Sequence, residues 1–404
     1  MAAQRIVFLN QAGGPLFREF VRVAGAALGP ARYYTADATP VGEGVEVVRA
    51  PRYRRDSGSA RLLSWSCYMA VVAAKILLRP RRPLLFIVTN PPLAPLIGYL
   101  ARKVRGQRYV LLFYDMYPEA LESFAGLSSR SKLARLWRHC NRLAIRNAEA
   151  VITISPDMAR TLSQYELTGP GVPSKVHIVP TWVDTAQIRP RAKRENWFAQ
   201  QHGQVDKLTV LYGGNLGAVH DLSMLPDVAA RLQDDPLFHF MVIAEPVARK
   251  ALEERCAQLK LRNVSFLPLQ DEAALPFSLT TADIGLVALA EGGEGVSMPS
   301  KTYYLMAAGC ALLGFSSLHS DLATLLRQHD CGINVAPHDV NGAVQVLRQW
   351  RADPSGLAQC RARARAAAEQ YFSRDVCVPR MLAVVQALLH GASGDGPVKE
   401  GMRV

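Results

Sequence analysis

A lysine at a predicted helix start is the clearest chemical signal in this sequence. It lies in the segment Glu291–Gly309, EGGEGVSMPSKTYYLMAAG. Pro299 fits the first turn of a helix, so Ser300 and Lys301 fall at its N-terminus. The helix dipole disfavours a cation there, and a bound polyanion would remove the conflict. Glu294 can accept a hydrogen bond from a ribose or sugar hydroxyl. A solvated loop with a capping serine is the alternative, but the lysine favours a phosphate site.

A second glycine-rich turn, Leu211–Asp221, reads LYGGNLGAVHD and follows a predicted strand. Gly214 and Gly217 allow backbone N–H groups to approach a phosphate. Asn215 and His220 can donate hydrogen bonds to the same group. An ordinary strand-to-helix turn uses glycines in the same way, so this motif alone is compatible with both interpretations.

Two carboxylates follow a predicted strand in the first half of the chain. The segment FYDMYPE at 113–119 contains Asp115 and Glu119. A carboxylate at the end of a parallel strand can orient an acceptor hydroxyl or take its proton. The alternative is a turn or a helix cap, a frequent role of Asp before Pro.

The elements that position these residues form two series of short, continuous apolar runs. Such runs are typical of parallel strands covered by helices on both faces. The sequence therefore predicts an α/β protein with two Rossmann-like, doubly wound domains facing across a cleft, with ligands beyond the carboxyl ends of the strands. We predict an N-terminal domain over 1–190, a C-terminal domain over 191–365, a helix over 366–390 that packs back on the first domain, and a disordered tail over 391–404. The predicted strands are Arg5–Asn10, Leu84–Thr89, Tyr109–Tyr114, Ala150–Ile154, Val176–Val179, Leu208–Tyr212, His239–Ala244, Val264–Leu267, Ile284–Ala288 and Ala311–Phe315.

Eight motifs, in this order, resemble the retaining GT-B glycosyltransferases of family four, in the PSK-motif branch that builds bacterial capsule, O-antigen and exopolysaccharide. They run from Ile6 to about residue 385. The motifs are NPPLAPL at 90–96, YDMYPE at 114–119, AEAVITISPDM at 148–158, VPTWVD at 179–184, YGGNLG at 212–217, NVSFLP at 263–268, TADIGLV at 281–287 and PSKTYYLMAAG at 299–309.

The resemblance implies roles for particular residues. It places the donor diphosphate at Asn215, Gly217, Ser300 and Lys301 and the nucleobase near the strand end at Leu267. The Gly13–Gly14 turn, which we group with the donor-binding residues, and Asp115 belong to the domain that faces the acceptor. Many family members carry two glutamates where this chain has Val296 and Tyr304, so Glu294 is the remaining candidate for that function.

The implied activity is transfer of a sugar from a nucleoside-diphosphate donor, taken as UDP-linked, to a lipid-linked or glycan acceptor, with anomeric configuration retained. No metal cluster is visible in the sequence, so a metal-independent enzyme without a cofactor is expected. Two alternatives remain open: a nucleotide-sugar epimerase of the same fold, and a non-catalytic GT-B partner subunit. Donor hydrolysis or transfer separates them.

The net charge of +13 is unevenly distributed. Residues 1–190 hold 26 Lys and Arg against 12 Asp and Glu, an excess of +14. Arg135, Arg138, Arg142 and Arg146 share one predicted helix face, with Leu133, Leu136 and Trp137 on the other. We expect a peripheral dock on anionic membrane rather than nucleic-acid binding, because no aromatic side chains are interleaved with these arginines.

The location follows from three further observations. The seven cysteines include no C-x-x-C pair, which favours a reducing compartment, and the start of the chain has no signal-peptide pattern. The apolar stretch from Leu62 to Leu78 is interpreted as a largely buried helix, with a helix in the bilayer interface as the alternative. The expected location is the cytoplasm, at the inner face of the cytoplasmic membrane.

Overall fold

The computed structural model describes residues 4–54, 57–165 and 175–390. The predicted tail at 391–404 lies outside them. The chain divides into two compact units, one of Met1–Pro180 with Val378–Val404 and one of Thr181–Cys377. The division falls ten residues before the predicted position, because the segment after Pro180 packs within the second unit: Arg365 donates hydrogen bonds to the carbonyls of Thr185 and Ile188.

The first unit contains a sheet of seven parallel strands in the order β3-β2-β1-β4-β5-β6-β7. β1, β4, β5 and β6 are buried along their whole length, as their continuous apolar sequences predict. The strands are β1 Ile6–Leu9, β2 Ala31–Thr35, β3 Val45–Arg49, β4 Leu84–Val88, β5 Tyr109–Phe113, β6 Ala150–Thr153 and β7 Val176–Ile178.

Six helices connect these strands. The longest, α2, begins after Ser57, whose side chain accepts a hydrogen bond from the Ala60 amide. The helices are α1 Pro15–Leu28, α2 Gly58–Leu77, α3 Pro95–Arg105, α4 Glu119–Phe124, α5 Lys132–Asn147 and α6 Pro156–Ser163.

The second unit contains a sheet of six parallel strands in the order β10-β9-β8-β11-β12-β13. Its strands are β8 Leu208–Gly213, β9 Phe238–Ile243, β10 Val264–Leu267, β11 Ile284–Ala288, β12 Ala311–Phe315 and β13 Gly332–Val335. In both sheets the strand order reverses beside the first strand, at β1/β4 and at β8/β11. Such a reversal opens a crevice at the carboxyl ends of the strands.

Helices of the second unit cover its sheet and continue to the end of the described chain. The 3₁₀ turn Lys193–Glu195 precedes them. They are α7 Trp197–Gln201, α8 Leu225–Ala230, α9 Pro246–Gln258, α10 Leu275–Thr280, α11 Lys301–Ala307, α12 Asp321–Gln328, α13 Val340–Ala352, α14 Pro354–Tyr371 and α15 Arg374–His390. From Val378 onward α15 groups with the first unit, where Arg380 donates a hydrogen bond to the carbonyl of Ile178 (3.2 Å).

The prediction of two Rossmann-like parallel-sheet domains is confirmed. All ten predicted strands are present, but β2, β3 and β13 were missed. β3 and β13 are edge strands whose residues are mostly only partly buried, so their sequences lack the continuous apolar run of a central strand.

The interpretation of residues 62–78 as a largely buried helix is wrong. Only Ser64, Tyr68, Val72 and Ile76 of α2 are buried. They recur every four residues and form a single stripe against the domain, so the rest of an otherwise apolar helix faces outward. α2 is also long and apolar enough to cross a membrane by length and composition.

The predicted faces of α5 also need correction. Leu133 and Leu136, expected to pack inward, are 56% and 60% exposed. Arg138, expected on the outer stripe, instead pairs with Glu122 and lies 3.8 Å from Glu119. The inward ion pair turns the helix so that leucines and arginines share its outer surface.

Candidate donor-binding site

A pocket of about 250 Å³ opens in the second unit beyond the carboxyl ends of β8 and β9. It lies beside the β8/β11 reversal, where an open parallel sheet is expected to bind its ligand. Its lining residues are Leu211, Gly213, Gly214, Asn215, His220, Ile243, Leu269, Gln270, Leu275, Ser278, Leu279, Pro299, Ser300, Lys301 and Tyr304.

Lys301 is the only lysine or arginine among these lining residues. It is the first residue of α11, with Ser300 at the N-cap, as the sequence predicts. Its ammonium lies 3.7 Å from the centroid of the Tyr212 ring and donates a hydrogen bond to the carbonyl of Asn215 (3.3 Å). Within the described part of the chain, no carboxylate pairs with it.

The surroundings of Lys301 disfavour its charge. Burial lowers its pKa to about 7, because a half-buried ammonium with a ring and one carbonyl as partners is poorly solvated. An anion in the pocket would stabilise the charged form, which is the property required of a phosphate site.

Gly214 and Asn215 lie beside this ammonium. Gly214 has φ +118, a backbone conformation that residues with side chains rarely adopt, so the position favours glycine. The exposed Asn215 side chain has no hydrogen-bond partner among the described residues and is available to a ligand.

His220 lines the pocket in a defined tautomer. Its Nδ1 lies 3.0 Å from the carbonyl of Ala288. A carbonyl only accepts, so Nδ1 carries the proton and Nε2 of the neutral ring is an acceptor. Burial, followed by the nearby Lys301 charge, lowers the His220 pKa to about 4. The ring is therefore neutral at physiological pH, with Nε2 suited to accept from a hydroxyl. The assignment of His220 to the donor site stays a prediction.

Two predicted donor-binding residues of the second unit lie outside the pocket lining. The carbonyl of Leu267 accepts from the Ala244 amide (3.1 Å) and from Arg249, and the chain reaches the pocket only at Leu269 and Gln270. Gly217 lies in the turn that leads to His220, whose amide bonds to the Gly217 carbonyl (2.9 Å).

Glu294, the candidate for the glutamate function, does not line this pocket. One carboxylate oxygen accepts the Gly292 amide (2.9 Å), which closes the loop before α11. The other oxygen is buried and has no hydrogen-bond partner in the described ranges. The described contacts of Glu294 are those of a loop-forming residue.

Several residues at the pocket were missed by sequence reasoning. Tyr212 is the last large residue of β8; it is buried and does not line the pocket, but its ring contacts the Lys301 ammonium. Tyr304 follows Lys301 by one helical turn, so helical spacing alone predicts that it shares the Lys301 side of α11. No sequence signal points to Leu269, Gln270 or Ser278, which reach the pocket through the packing of β10 and α10.

The carboxylates of the first unit differ in their surroundings. Asp115 is exposed just beyond β5. Glu119 accepts a hydrogen bond from the Tyr165 hydroxyl (2.6 Å), which in turn accepts one from Asn141 (3.3 Å). Together with the nearby Arg138, these contacts give Glu119 a structural role, and its assignment as a catalytic carboxylate stays a prediction.

Gly13 and Gly14 lie in the first unit, in a separate open basin beyond β1, β2 and β3. A Cβ on Gly13 would lie 2.0 Å from the Tyr33 hydroxyl, so close packing requires glycine there. Gly14 is the N-cap of α1 and has no side chain to bond the first amides of that helix. In the described structure neither glycine contributes to the Lys301 pocket.

No group of three or more His, Cys, Asp or Glu residues in a metal-binding arrangement occurs within residues 4–54, 57–165 and 175–390. Metal independence stays a prediction.

The two doubly wound sheets define the GT-B fold, and solved structures support this assignment. The chain is similar to sucrose-phosphate synthase from Thermosynechococcus elongatus, with a TM-score of 0.77 and 15% identity over 96% of this chain and 100% of that one. It is also similar to HepE of Anabaena, solved in complex with UDP-glucose, with a TM-score of 0.72 and 16% identity over 95% and 99% of the two chains.

Residues 17–182, which lie mostly within the N-terminal unit, match the family described as glycosyl transferase 4-like domain. Two curated relatives carry transferase names. One, from Pseudomonas aeruginosa, is named a probable glycosyltransferase, WbjE, and is 24% identical over 85% of this chain and 84% of its own. The other is WcaI of Escherichia coli (strain K12), named for glycosyl transfer in colanic acid biosynthesis, which is 28% identical over 62% and 61%.

Proposed function

We propose that this protein is a glycosyltransferase that moves a sugar from a UDP-linked donor to a lipid-linked or glycan acceptor in surface polysaccharide biosynthesis, with anomeric configuration retained. The observation that carries the proposal is Lys301, an ammonium that no carboxylate of the described chain pairs with, in a pocket beside Gly214 and Asn215. The glycosyl transferase 4-like domain and the transferase names of the relatives support the same activity.

The chemistry assigned to the pocket is stabilisation of a leaving group. As the bond between the sugar C1 and the donor phosphate oxygen breaks, its electron pair goes to the diphosphate. The acceptor oxygen bonds to C1 and gives its proton to the departing diphosphate. The Lys301 ammonium is placed to stabilise the charge that develops on the diphosphate. We assign Asp115 to the acceptor hydroxyl.

A nucleotide is supported by a pocket lining that includes both the Lys301 cation and the apolar side chains of Ile243, Leu269 and Leu275. A fold neighbour was solved with UDP-glucose, which makes UDP-sugars the first donors to examine.

The experiment is a thermal-shift screen of nucleotide sugars, followed by an assay of donor hydrolysis and transfer. A ligand at 100 times its Kd stabilises by about 2.7 kcal/mol, enough for a clear shift. Proton NMR of the glycoside product gives its anomeric configuration. Stabilisation by UDP-sugars with release of UDP supports the proposal. An inverted product refutes retention, and a protein that neither binds nor turns over any nucleotide sugar refutes the function.

The acceptor side is proposed to act at the surface of an anionic membrane. α3 packs beside both α2 and α5. The three helices carry exposed large apolar side chains, which we call the apolar face: Leu62, Leu63, Val71, Leu78, Leu100, Val104, Leu133 and Leu136. Arginines and lysines lie among these apolar side chains, and anionic lipid headgroups attract such cations.

Peripheral binding fits α2 better than spanning does. Tyr68 is fully buried, and its hydroxyl donates to the carbonyl of Tyr34 (3.1 Å), so one side of the helix is fixed in its own domain. A helix held in this way presents its outer side to the bilayer interface. The inner face of the cytoplasmic membrane is the proposed location.

A further inference from the structure

A second concave region in the first unit is distinct from the Lys301 pocket. It is an open basin of about 1110 Å³ beyond the carboxyl ends of β1, β2 and β3. Its lining residues are Gln11, Ala12, Gly13, Gly14, Ala36, Asp37, Ala38, Thr39, Arg49, Arg52, Tyr53 and Arg54. Three arginines and a single acidic residue make this lining cationic.

The acidic residue, Asp37, already has hydrogen-bond donors in its own loop and an ion pair with Arg18 of α1. The Asp37 carboxylate accepts hydrogen bonds from the Thr39 amide (3.0 Å) and hydroxyl (2.6 Å) and pairs with Arg18 (2.9 Å). The Thr39 hydrogen bonds lower its pKa, so it stays ionised and paired. By contrast, Arg49 and Arg52 are exposed and have no ion pair or side-chain hydrogen bond within the part of the chain that the structure describes.

Hydrogen bonds with Gln11 and Ser64 hold the loop that carries Arg52 in place. Gln11 is fully buried, and its Nε2 donates to the carbonyls of Pro51 and Ser64 (3.1 Å each). The Arg54 amide donates to the Ser64 hydroxyl (3.3 Å). These bonds fix the loop to α2, so Arg52 is positioned before a ligand arrives.

Gln11 indicates that the ligand also carries a hydroxyl group. Both of its N–H groups are used, and its buried Oε1 has no hydrogen-bond partner among the residues that the structure describes. A buried amide oxygen without a partner is costly, and a ligand hydroxyl at the floor of the basin would satisfy it. Tyr53 adds an aromatic wall, backed by Trp65 in a parallel arrangement at 6.3 Å, against which the C–H face of a sugar ring can pack.

We propose that this basin is the acceptor subsite and that it takes an anionic sugar, with Arg49 and Arg52 binding a phosphate or carboxylate group and Gln11 a hydroxyl. This rests on the proposed transferase function and narrows its acceptor to anionic glycans or sugar phosphates. A neutral glycan would form no ion pair with either guanidinium group.

The test is isothermal titration of the full chain with three probes, α-D-glucose 1-phosphate, D-glucuronate and methyl α-D-glucoside, each with and without saturating UDP. UDP fills the Lys301 pocket, so that probe binding there is blocked. We expect at least one anionic probe to bind at least about tenfold more tightly than the neutral glucoside with UDP present. Preference for the phosphate or for the carboxylate identifies which group the acceptor carries.

The variants are Arg49→Gln, Arg52→Gln and their combination, with Arg81→Gln/Arg82→Gln as the matched control. Arg81 and Arg82 are exposed arginines of the same unit. They precede β4 and so lie at the amino ends of the strands, whereas the basin lies beyond the carboxyl ends. The double variant should lose the anionic preference, each single variant part of it, and the control none. Equal binding of all three probes, or an anionic preference that survives Arg49→Gln/Arg52→Gln, overturns the proposal. Failure of UDP to bind contradicts the proposed function instead, and the titrations without UDP still test the basin.

Discussion

The ammonium of Lys301 lies 3.7 Å from the centroid of the Tyr212 ring, although 89 residues separate the two in sequence. The ring provides one face for the charge and the Asn215 carbonyl a second, and the remaining side opens into the pocket. A cation held in this way is ready for an anionic ligand.

Replacing Lys301 with alanine should weaken UDP binding far more than it weakens folding. Loss of one charged hydrogen bond costs about 1.5–3 kcal/mol, or roughly 10- to 150-fold in Kd. Calorimetric titration of UDP measures it, with Lys250→Ala, an exposed lysine in a surface ion pair, as the control. An unchanged Kd would remove Lys301 from the site.

UDP affinity should fall as the pH rises above 7. Burial places the Lys301 pKa at about 7, and a bound diphosphate favours the ammonium, so binding raises that pKa. Affinity contributed by Lys301 is then fully present below pH 7 and decreases above it. Titrations between pH 6 and 9 measure the slope. Lys301→Arg is the control, because a guanidinium stays charged throughout. An identical slope in both proteins contradicts this assignment.

His220 should remain neutral across the physiological range, with a pKa of about 4. Burial is the main cause, and the positive charge of Lys301 adds to it. NMR observation of the imidazole during a pH titration tests both points. Lys301→Ala should move the His220 pKa upward, while Lys250→Ala should not. A wild-type His220 that titrates near its ordinary value would show that the ring is more solvated than the structure describes.

Substitutions of the two carboxylates after β5 should have different effects: the change at Glu119 should lower stability, and the change at Asp115 should lower activity. Glu119→Ala removes the partner of the Tyr165 hydroxyl and should destabilise the fold by about 1–3 kcal/mol in chemical denaturation. Asp115→Asn should leave stability and UDP affinity unchanged and lower kcat. If Asp115→Asn instead abolishes UDP binding, the division of donor and acceptor functions between the two units is incorrect.

Membrane binding should depend on the apolar face as well as on charge. Leu62 and Leu63 are 64% and 63% exposed, and full burial of a leucine is worth about 1.5–3 kcal/mol. Leu62→Gln/Leu63→Gln should reduce co-sedimentation with anionic vesicles at least tenfold. Val247→Gln, a change at a residue that is 91% exposed in the other unit, is the control.

Salt separates the two contributions to that binding. Raising salt from 0.1 to 1 M shortens the Debye length from about 10 Å to about 3 Å and should weaken binding without abolishing it. If only detergent releases the protein from the vesicles, α2 spans the membrane. If the protein does not bind vesicles at all, the apolar face is not a membrane-binding surface.

The sequence by itself determined the two parallel sheets, because continuous apolar runs report strands buried on both faces, a local property. It also located the Gly214 turn and the start of α11 at Lys301, since glycine and proline act on the backbone nearby. Edge strands such as β3 were not predicted, because a partly buried strand does not need a continuous run of apolar residues.

Tertiary structure alone decided which residues meet and which sides face outward. The strand order places β8 beside β11 and so carries Lys301 to Tyr212. Helical spacing groups the residues of α2 and α5 into stripes, but it cannot say which stripe faces the sheet. Packing of Tyr68 and the ion pairs of Arg138 settle that choice, because the energy of each contact depends on partners distant in sequence. For the same reason Gln11, a single polar residue in the sequence, proves to be the support of the arginine loop.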